Sequence, residues 1–112
     1  MDISGIYNIK IKTPFGDKEA KLELKVKENN LIGKLFTEKG DVEVNDGVVE
    51  GSKFTFSTTV QGPIGKMSVK ISGEVIGDNL TAEAKLSLGT MQITGTRQWL
   101  KNYLINIYSS HL

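Results

Sequence analysis

The chain of 112 residues contains no cysteine, a single histidine and only two prolines, and aromatic residues make up 7% of it. Without cysteine, disulfides and thiolate metal ligands are excluded. The one histidine, His111, is the penultimate residue, where chains commonly fray, so we expect it to be neither a catalytic base nor a metal ligand. No Ser-His-Asp set and no Gly-x-Gly-x-x-Gly motif is present. We therefore predict no catalytic residues, no metal site and no cofactor.

An excess of charge of one sign is also lacking. Lysine and arginine number 14 against 13 acids, and they are interspersed rather than collected in runs. Such a balance attracts no phosphate backbone, so we do not expect a nucleic-acid partner. There is no stretch of eighteen apolar residues and no basic leader followed by an apolar segment. We expect no signal peptide, no membrane-spanning helix and no membrane partner, and a cytoplasmic location.

Strict alternation of apolar and charged side chains is what the sequence has in abundance. Residues 20–27 carry Ala20, Leu22, Leu24 and Val26 in alternation with three lysines and a glutamate. In an extended backbone this pattern places every apolar side chain on one face and every charge on the other. A barrel in a lipid bilayer would face its apolar side outward, with aromatic girdles at both interfaces. The dense lysine and glutamate here indicate the opposite, with a polar exterior and an apolar interior.

The alternation is repeated after a shift of 49 residues. Pro14-Phe15-Gly16 then falls on Pro63-Ile64-Gly65, and the in/out parity holds without a gap across four strands. We predict two four-stranded halves, about 5–45 and 54–94, with a hairpin at Asn45-Asp46-Gly47. The halves could face each other as a sandwich or close into an eight-stranded antiparallel up-and-down barrel. We favour the all-β barrel, over residues 1–97, because closure removes the edge strands.

The C-terminal residues 98–112 depart from this rhythm. Positions 99, 100, 103, 104, 107 and 108 are apolar or aromatic, which is the period of an amphipathic helix. We expect a C-terminal helix packed on one end of the barrel or on a partner. A homodimer contact through Trp99–Tyr108 and a frayed extension are the alternatives.

The inner face offers a site for a small apolar ligand. Gly73, Ala82 and Ala84 stand where the first half has Leu24, Gly33 and Leu35, so part of the lumen wall is small. Either this leaves room for a hydrophobic or amphipathic ligand, or the larger inward side chains fill the space. The candidate lumen residues are Tyr7, Leu24, Gly33, Leu35, Phe54, Phe56, Met67, Gly73, Ala82, Ala84 and Arg97. The alternative, an enzyme, would need a polar set on the loops at one mouth of the barrel, near Asp46, Asp78 and Tyr7.

The two ends of the chain resemble a known family. Ser4-Gly5-Ile6-Tyr7-Asn8 is similar to the Gly-x-Trp first strand of the calycins (lipocalins, fatty-acid-binding proteins and avidins), with Tyr7 in place of the tryptophan. Thr94-Gly95-Thr96-Arg97 resembles their last strand, whose arginine packs over the first-strand aromatic. Asn30-Leu31-Ile32-Gly33 is similar to a hairpin of avidin-like barrels. The chain also resembles uncharacterised small bacterial proteins with such hairpins. The resemblance implies a ligand-binding barrel.

Overall fold

The computed structural model describes residues 3–62, 65–87 and 89–98. Nine strand segments run through them, and every pairing is antiparallel. In chain order they are β1 (Gly5–Thr13), β2 (Gly16–Lys27), β3 (Asn30–Thr37), β4 (Gly40–Glu43), β5 (Asn45–Glu50), β6 (Lys53–Gly62), β7 (Gly65–Ile76), β8 (Asn79–Leu86) and β9 (Gly89–Gln98). The predicted C-terminal helix falls on residues outside the described part of the chain.

The strands close into a barrel. Except for β4 and β5, consecutive strands pair with each other, and β9 pairs with β1 over Ile6–Ile11 and Ile93–Gln98. Segments β4 and β5 both pair with β3, so they form one interrupted strand, and the ring therefore has eight strands. This confirms the predicted eight-stranded up-and-down topology. Within the described residues, no helix has the length and hydrophobicity needed to cross a membrane.

The predicted hairpin at Asn45-Asp46-Gly47 is wrong. The chain does not reverse there, because β5 continues the direction of β4: both segments pair antiparallel with β3, and β5 also pairs with β6. The register slips by one residue between Asn45 and Val48, which is a β-bulge. Asp46 adopts a left-handed φ of 52°, and a side chain at Gly47 would overlap the backbone carbonyl oxygen of Leu31. The Asn-Asp-Gly sequence thus serves the bulge and the close strand approach, with chemistry that hairpins also use.

The interior is built by the alternating residues. Its fully buried side chains include Tyr7, Leu24, Phe54, Phe56 and Leu80, each at most 2% exposed. The outward residues of the same strands are charged or polar, apart from a few such as Ile32 and Phe36, which the parity also placed outside. Transfer of apolar area from water to this interior stabilises the barrel by about 25 cal/mol per Å².

The two ends of the barrel differ. At one end, called the open end, β1 joins β2 and β3 joins β4 through two-residue turns. In both turns a threonine hydroxyl, of Thr13 or Thr37, donates to the carbonyl of the glycine three residues later and accepts the backbone N–H two residues later. The opposite end, called the closed end, receives the N-terminal residues and Gln98.

Candidate ligand-binding site

The closed end is plugged by the N-terminal segment and Tyr7. Tyr7 is completely buried, and its hydroxyl donates a hydrogen bond of 2.7 Å to the carbonyl oxygen of Ile3. Ile3 is itself only 2% exposed. Ser4 accepts the backbone N–H of Val26 through its hydroxyl oxygen at 3.0 Å, which ties the segment to the end of β2. Ligand entry from this end would require these contacts to break.

Arg97 completes the plug. Its guanidinium carbon lies 5.3 Å from the centre of the Tyr7 ring, the contact that the calycin resemblance implied. Its terminal nitrogens donate to the carbonyl oxygens of Ser4 (3.2 Å) and Gly77 (3.1 Å). Nε lies 3.8 Å from a carboxylate oxygen of Asp78, which partly balances the buried charge. Arg97 therefore connects three segments that are distant in sequence, and its donors are directed to structural partners.

The predicted small-residue sector of the lumen wall is closely packed at Gly73. An added Cβ at this residue would lie 2.6 Å from the Cβ of Ala82 and 2.7 Å from Cζ of Phe54. The Phe54 ring stacks on that of Phe56, with centroids 6.0 Å apart and planes 14° from parallel. The large aromatic side chains thus occupy the space that the glycine and alanine leave on this wall.

Gly33 also reflects a close approach between strands. A Cβ there would overlap the carbonyl oxygen of Glu23 on the adjacent strand β2. Two of the glycines that suggested a roomy lumen are therefore positions where no side chain fits.

The open end holds an apolar pocket of about 330 Å³. Its half-buried aliphatic lining is Ile11, Ala20, Val42 and Val60, one residue from each of β1, β2, β4 and β6. Polar and charged side chains from the turns and strand ends surround this lining, namely Lys18, Glu19, Thr37, Glu38, Lys39, Asp41 and Gln61. The pocket is just large enough for a small molecule and combines an apolar base with a mixed-charge rim.

The structure separates the residues predicted to line one site. Tyr7 and Arg97 meet at the closed end, and the remaining predicted lumen residues lie in the wall or core between the two ends. Met67, half-buried, pairs with Val60 at the open end. The four aliphatic residues of the pocket were not among the predicted site residues. Their inward parity next to open-end turns is the sequence signal that identifies them.

The described residues do not assemble the alternative catalytic set. The Tyr7 hydroxyl donates its hydrogen bond to the Ile3 carbonyl oxygen, Asp78 lies beside Arg97, and Asp46 is exposed on the bulge. In the described ranges no three acidic, histidine or cysteine side chains are close enough to hold a metal ion. The buried Thr58 donates its hydroxyl to the Glu43 carbonyl at 3.1 Å, which is a structural contact between neighbouring strands.

A second, larger depression of about 840 Å³ lies on the outside of the barrel. It crosses β8, β9, β1, β2 and β3, and we call it the outer groove. Its lining contains threonine, asparagine and charged side chains together with Phe36. Nine of its fourteen lining residues have outward parity, and it shares Glu19, Ala20 and Thr37 with the lining of the open-end pocket.

Comparisons with protein-family models, with curated proteins and with solved structures gave no significant match. The eight-stranded closed antiparallel barrel is consistent with a calycin-like architecture, and the case for a binding role depends on the geometry of the open end.

Proposed function

We propose that this protein is a non-catalytic β-barrel that binds a small hydrophobic or amphipathic molecule at its open end. The observation that carries the proposal is the pocket of about 330 Å³ with its aliphatic base of Ile11, Ala20, Val42 and Val60. These side chains are only half-buried, so a ligand would remove further apolar surface from water. The plug at the closed end leaves the open end as the route to the interior.

The rim supports an amphipathic ligand. Lys18 and Lys39 stand with Glu19, Glu38 and Asp41 around the pocket, so both signs of charge are within reach of a polar head group. Such pockets usually bind the apolar portion of a ligand on their aliphatic base and its polar portion at the rim. The resemblance to calycins agrees with this proposal by analogy of fold.

The test uses the amphipathic fluorophore 1-anilinonaphthalene-8-sulfonate as a probe and a matched pair of valine variants. We expect saturable binding with one molecule per chain. Val60→Lys places an ammonium in the pocket and should weaken binding about tenfold, since it removes apolar contact and introduces a charge that must stay hydrated. The control is Val48→Lys, because Val48 is 51% exposed on the outer face.

Binding by the Val60→Lys variant as tight as that of the wild type would contradict the proposal, as would the absence of saturable binding. Cooperative unfolding of both variants shows that the probe reports a folded site. Native mass spectrometry of the protein purified from its own source then asks whether a molecule copurifies with the wild type and is lost from Val60→Lys.

A second candidate function is an oligomerisation or interaction module that uses residues 99–112. The observation that favours it is an exposed apolar side chain beside the last described residue: Gln98 pairs with Ile6, which is 37% exposed. Sedimentation of the wild type against Leu100→Asp/Leu104→Asp tests it. A dimer that dissociates in the variant supports this function, and a monomer in both cases contradicts it.

A further inference from the structure

The barrel wall is interrupted beside the open-end pocket, between residues 40–43 of β4 and 59–61 of β6. Within the described strands, β4 pairs with β3 on one side and forms no ladder with β6 on the other. The next segment, β5, does pair with β6. The bulge lies next to the point where this pairing stops, and bulges bend and twist the strand that carries them. We call this interruption the slot.

The edge of β4 presents its backbone groups to the slot. The Val44 amide donates to the Gly33 carbonyl oxygen on β3 at 3.1 Å. Because backbone groups alternate in direction along an antiparallel strand, those of Asp41 and Glu43 point away from β3 and into the slot. The Glu43 carbonyl oxygen accepts the hydroxyl of the buried Thr58 at 3.1 Å, which tethers β4 to β6 at the base of the slot. This oxygen can accept a second hydrogen bond.

The facing edge of β6 is exposed in the same way. The Ser52 carbonyl oxygen accepts the Val75 amide of β7 at 2.9 Å, so every second residue of β6 directs its backbone groups to β7. Thr59 and Gln61 are the alternate residues, and their backbone groups point into the slot. Of the described residues, none forms a ladder with either of them on this side.

The two edges of the slot are in matching register. When the pairing of Asn45 on β5 with β6 is continued along the strand, Glu43 lies opposite Thr59 and Asp41 lies opposite Gln61. Both would be hydrogen-bonded pairs, in which each residue donates to its partner and accepts from it. Because Thr59 and Gln61 are uncharged, closure of the slot would bring no like charges directly opposite each other.

The open-end pocket lies along the inner side of the slot. Val42 of β4 and Val60 of β6 both line it, both are half-buried, and the same register places them opposite each other. A ligand that touches both valines gains apolar contact when β4 moves toward β6. Such a ligand binds the closed form more tightly than the open form, and this difference in affinity is what shifts a conformational equilibrium.

We propose that a ligand in the open-end pocket closes the slot by drawing β4 onto β6, so that the missing part of the ladder forms around it. This inference rests on the proposed function. The moving element is short, since β4 has only four residues. It is held by β3 along one side and bounded by the Thr37–Gly40 turn and the bulge. Its contact through Thr58 keeps it close to its new partner.

Amide hydrogen exchange, read by two-dimensional NMR with and without saturating 1-anilinonaphthalene-8-sulfonate, measures the closure. We expect exchange at Asp41, Glu43, Thr59 and Gln61 to slow by about tenfold or more in the complex, since each amide gains a carbonyl acceptor. The Ser57 amide belongs to a residue that is already paired with β5, so it should change much less. Saturable binding of the probe without added protection at the four amides would overturn the closure and leave the proposed function standing.

Because the chain has no cysteine, closure can also be imposed by a single engineered disulfide. Glu43→Cys/Thr59→Cys places one thiol on each edge of the slot. In the closed form the two Cα atoms would be about 5.5 Å apart, which a disulfide spans. The oxidised variant should bind the probe about fivefold more tightly than its own reduced form, because the lock removes the cost of closure.

Ser72→Cys/Glu83→Cys is the matched control, since it joins register partners of β7 and β8 in a ladder that is already formed. Its affinity for the probe should be the same when oxidised and when reduced. Equal or weaker binding by the oxidised slot variant would overturn the closure. So would thiols at the slot that stay free under the oxidant that joins the control pair. Absence of saturable probe binding in the wild type would refute the proposed function, and this inference with it.

Discussion

Gly73→Ala tests whether the lumen is packed or hollow beside its small residues. The added methyl group would lie 2.6 Å from both the Ala82 Cβ and the Thr81 carbonyl oxygen, and 2.7 Å from Cζ of Phe54. Ordinary contacts between such atoms are about 3.5–4.0 Å. The ring of Phe54 cannot simply swing away, because it is 2% exposed and stacked on Phe56. The carbonyl oxygen can move only with the backbone of β8.

The magnitude follows from opposing contributions. Alanine restricts the unfolded chain and buries one methyl group, which together stabilise the protein by about 1–2 kcal/mol where the native site has room. Overpacking a closed core costs typically about 1–3 kcal/mol, and three short contacts at one atom place this site at the upper end or above. We therefore expect a net loss of about 1–2 kcal/mol for Gly73→Ala. The melting temperature should fall by about 4 °C or more for each kcal/mol in a domain of this size.

Urea unfolding followed by far-ultraviolet circular dichroism measures the change, with Ser68→Ala on the exposed face of the same strand as control. The exchange variant Gly73→Ala/Ala82→Gly removes one of the three contacts. It should therefore be more stable than the sum of the single changes, by about 0.5–1 kcal/mol. A midpoint for Gly73→Ala equal to or above that of the wild type would show open volume in the wall. A ligand site in the middle of the lumen would then regain support.

Three other substitutions test the plug and the close strand approach. Arg97→Met removes two hydrogen bonds to carbonyl groups and the contact with Tyr7, so the free energy of unfolding should fall by about 2–4 kcal/mol. A loss below about 0.5 kcal/mol in the urea titration would show that Arg97 does not hold the closed end together. Tyr7→Phe should lose about 1–2 kcal/mol in the same titration, because the carbonyl of Ile3 loses its donor. Gly33→Ala should cost about 3 kcal/mol in thermal unfolding, since its methyl group overlaps the Glu23 carbonyl oxygen, and an unchanged melting temperature would show that β2 and β3 can separate there.

The barrel itself was predictable because alternation is a strong and redundant signal. A strand with one buried face cannot slip by one residue without moving its whole apolar set to solvent, so the inward parity of residues such as Leu22, Leu24 and Ile71 fixes the register locally. All three are buried in the structure. The contact of Arg97 with Tyr7 was implied by the resemblance at the chain ends, and their shared inward parity made it physically available.

The bulge was not predictable from the local pattern. Asn-Asp-Gly favours left-handed backbone conformations, which hairpins and bulges both require. The strands that pair with this segment decide whether it forms a hairpin or a bulge. Val48 pairs with Asn30 on β3 and with Thr55 on β6, so the strand continues where a hairpin would have ended it. These pairing partners lie on other strands, so a sequence window of a few residues around the bulge does not contain them.

The location of the pocket depends on volume, which the sequence pattern does not supply. A glycine at an inward position can leave space for a ligand or allow a neighbouring strand to approach closely. The sequence does not distinguish these two cases, because both show a glycine at an inward position. Neither Gly33 nor Gly73 leaves space for a ligand, because a Cβ at Gly33 would overlap the Glu23 carbonyl oxygen and a Cβ at Gly73 would lie 2.6 Å from the Thr81 carbonyl oxygen and 2.7 Å from the Phe54 ring. Space is found instead at the open end, where the half-buried Ile11, Ala20 and Val60 line a pocket of about 330 Å³. A binding role for this barrel therefore depends on the open-end pocket and not on the small residues of the lumen wall. Val60→Lys tests the pocket and Gly73→Ala tests the wall, each independently of the other.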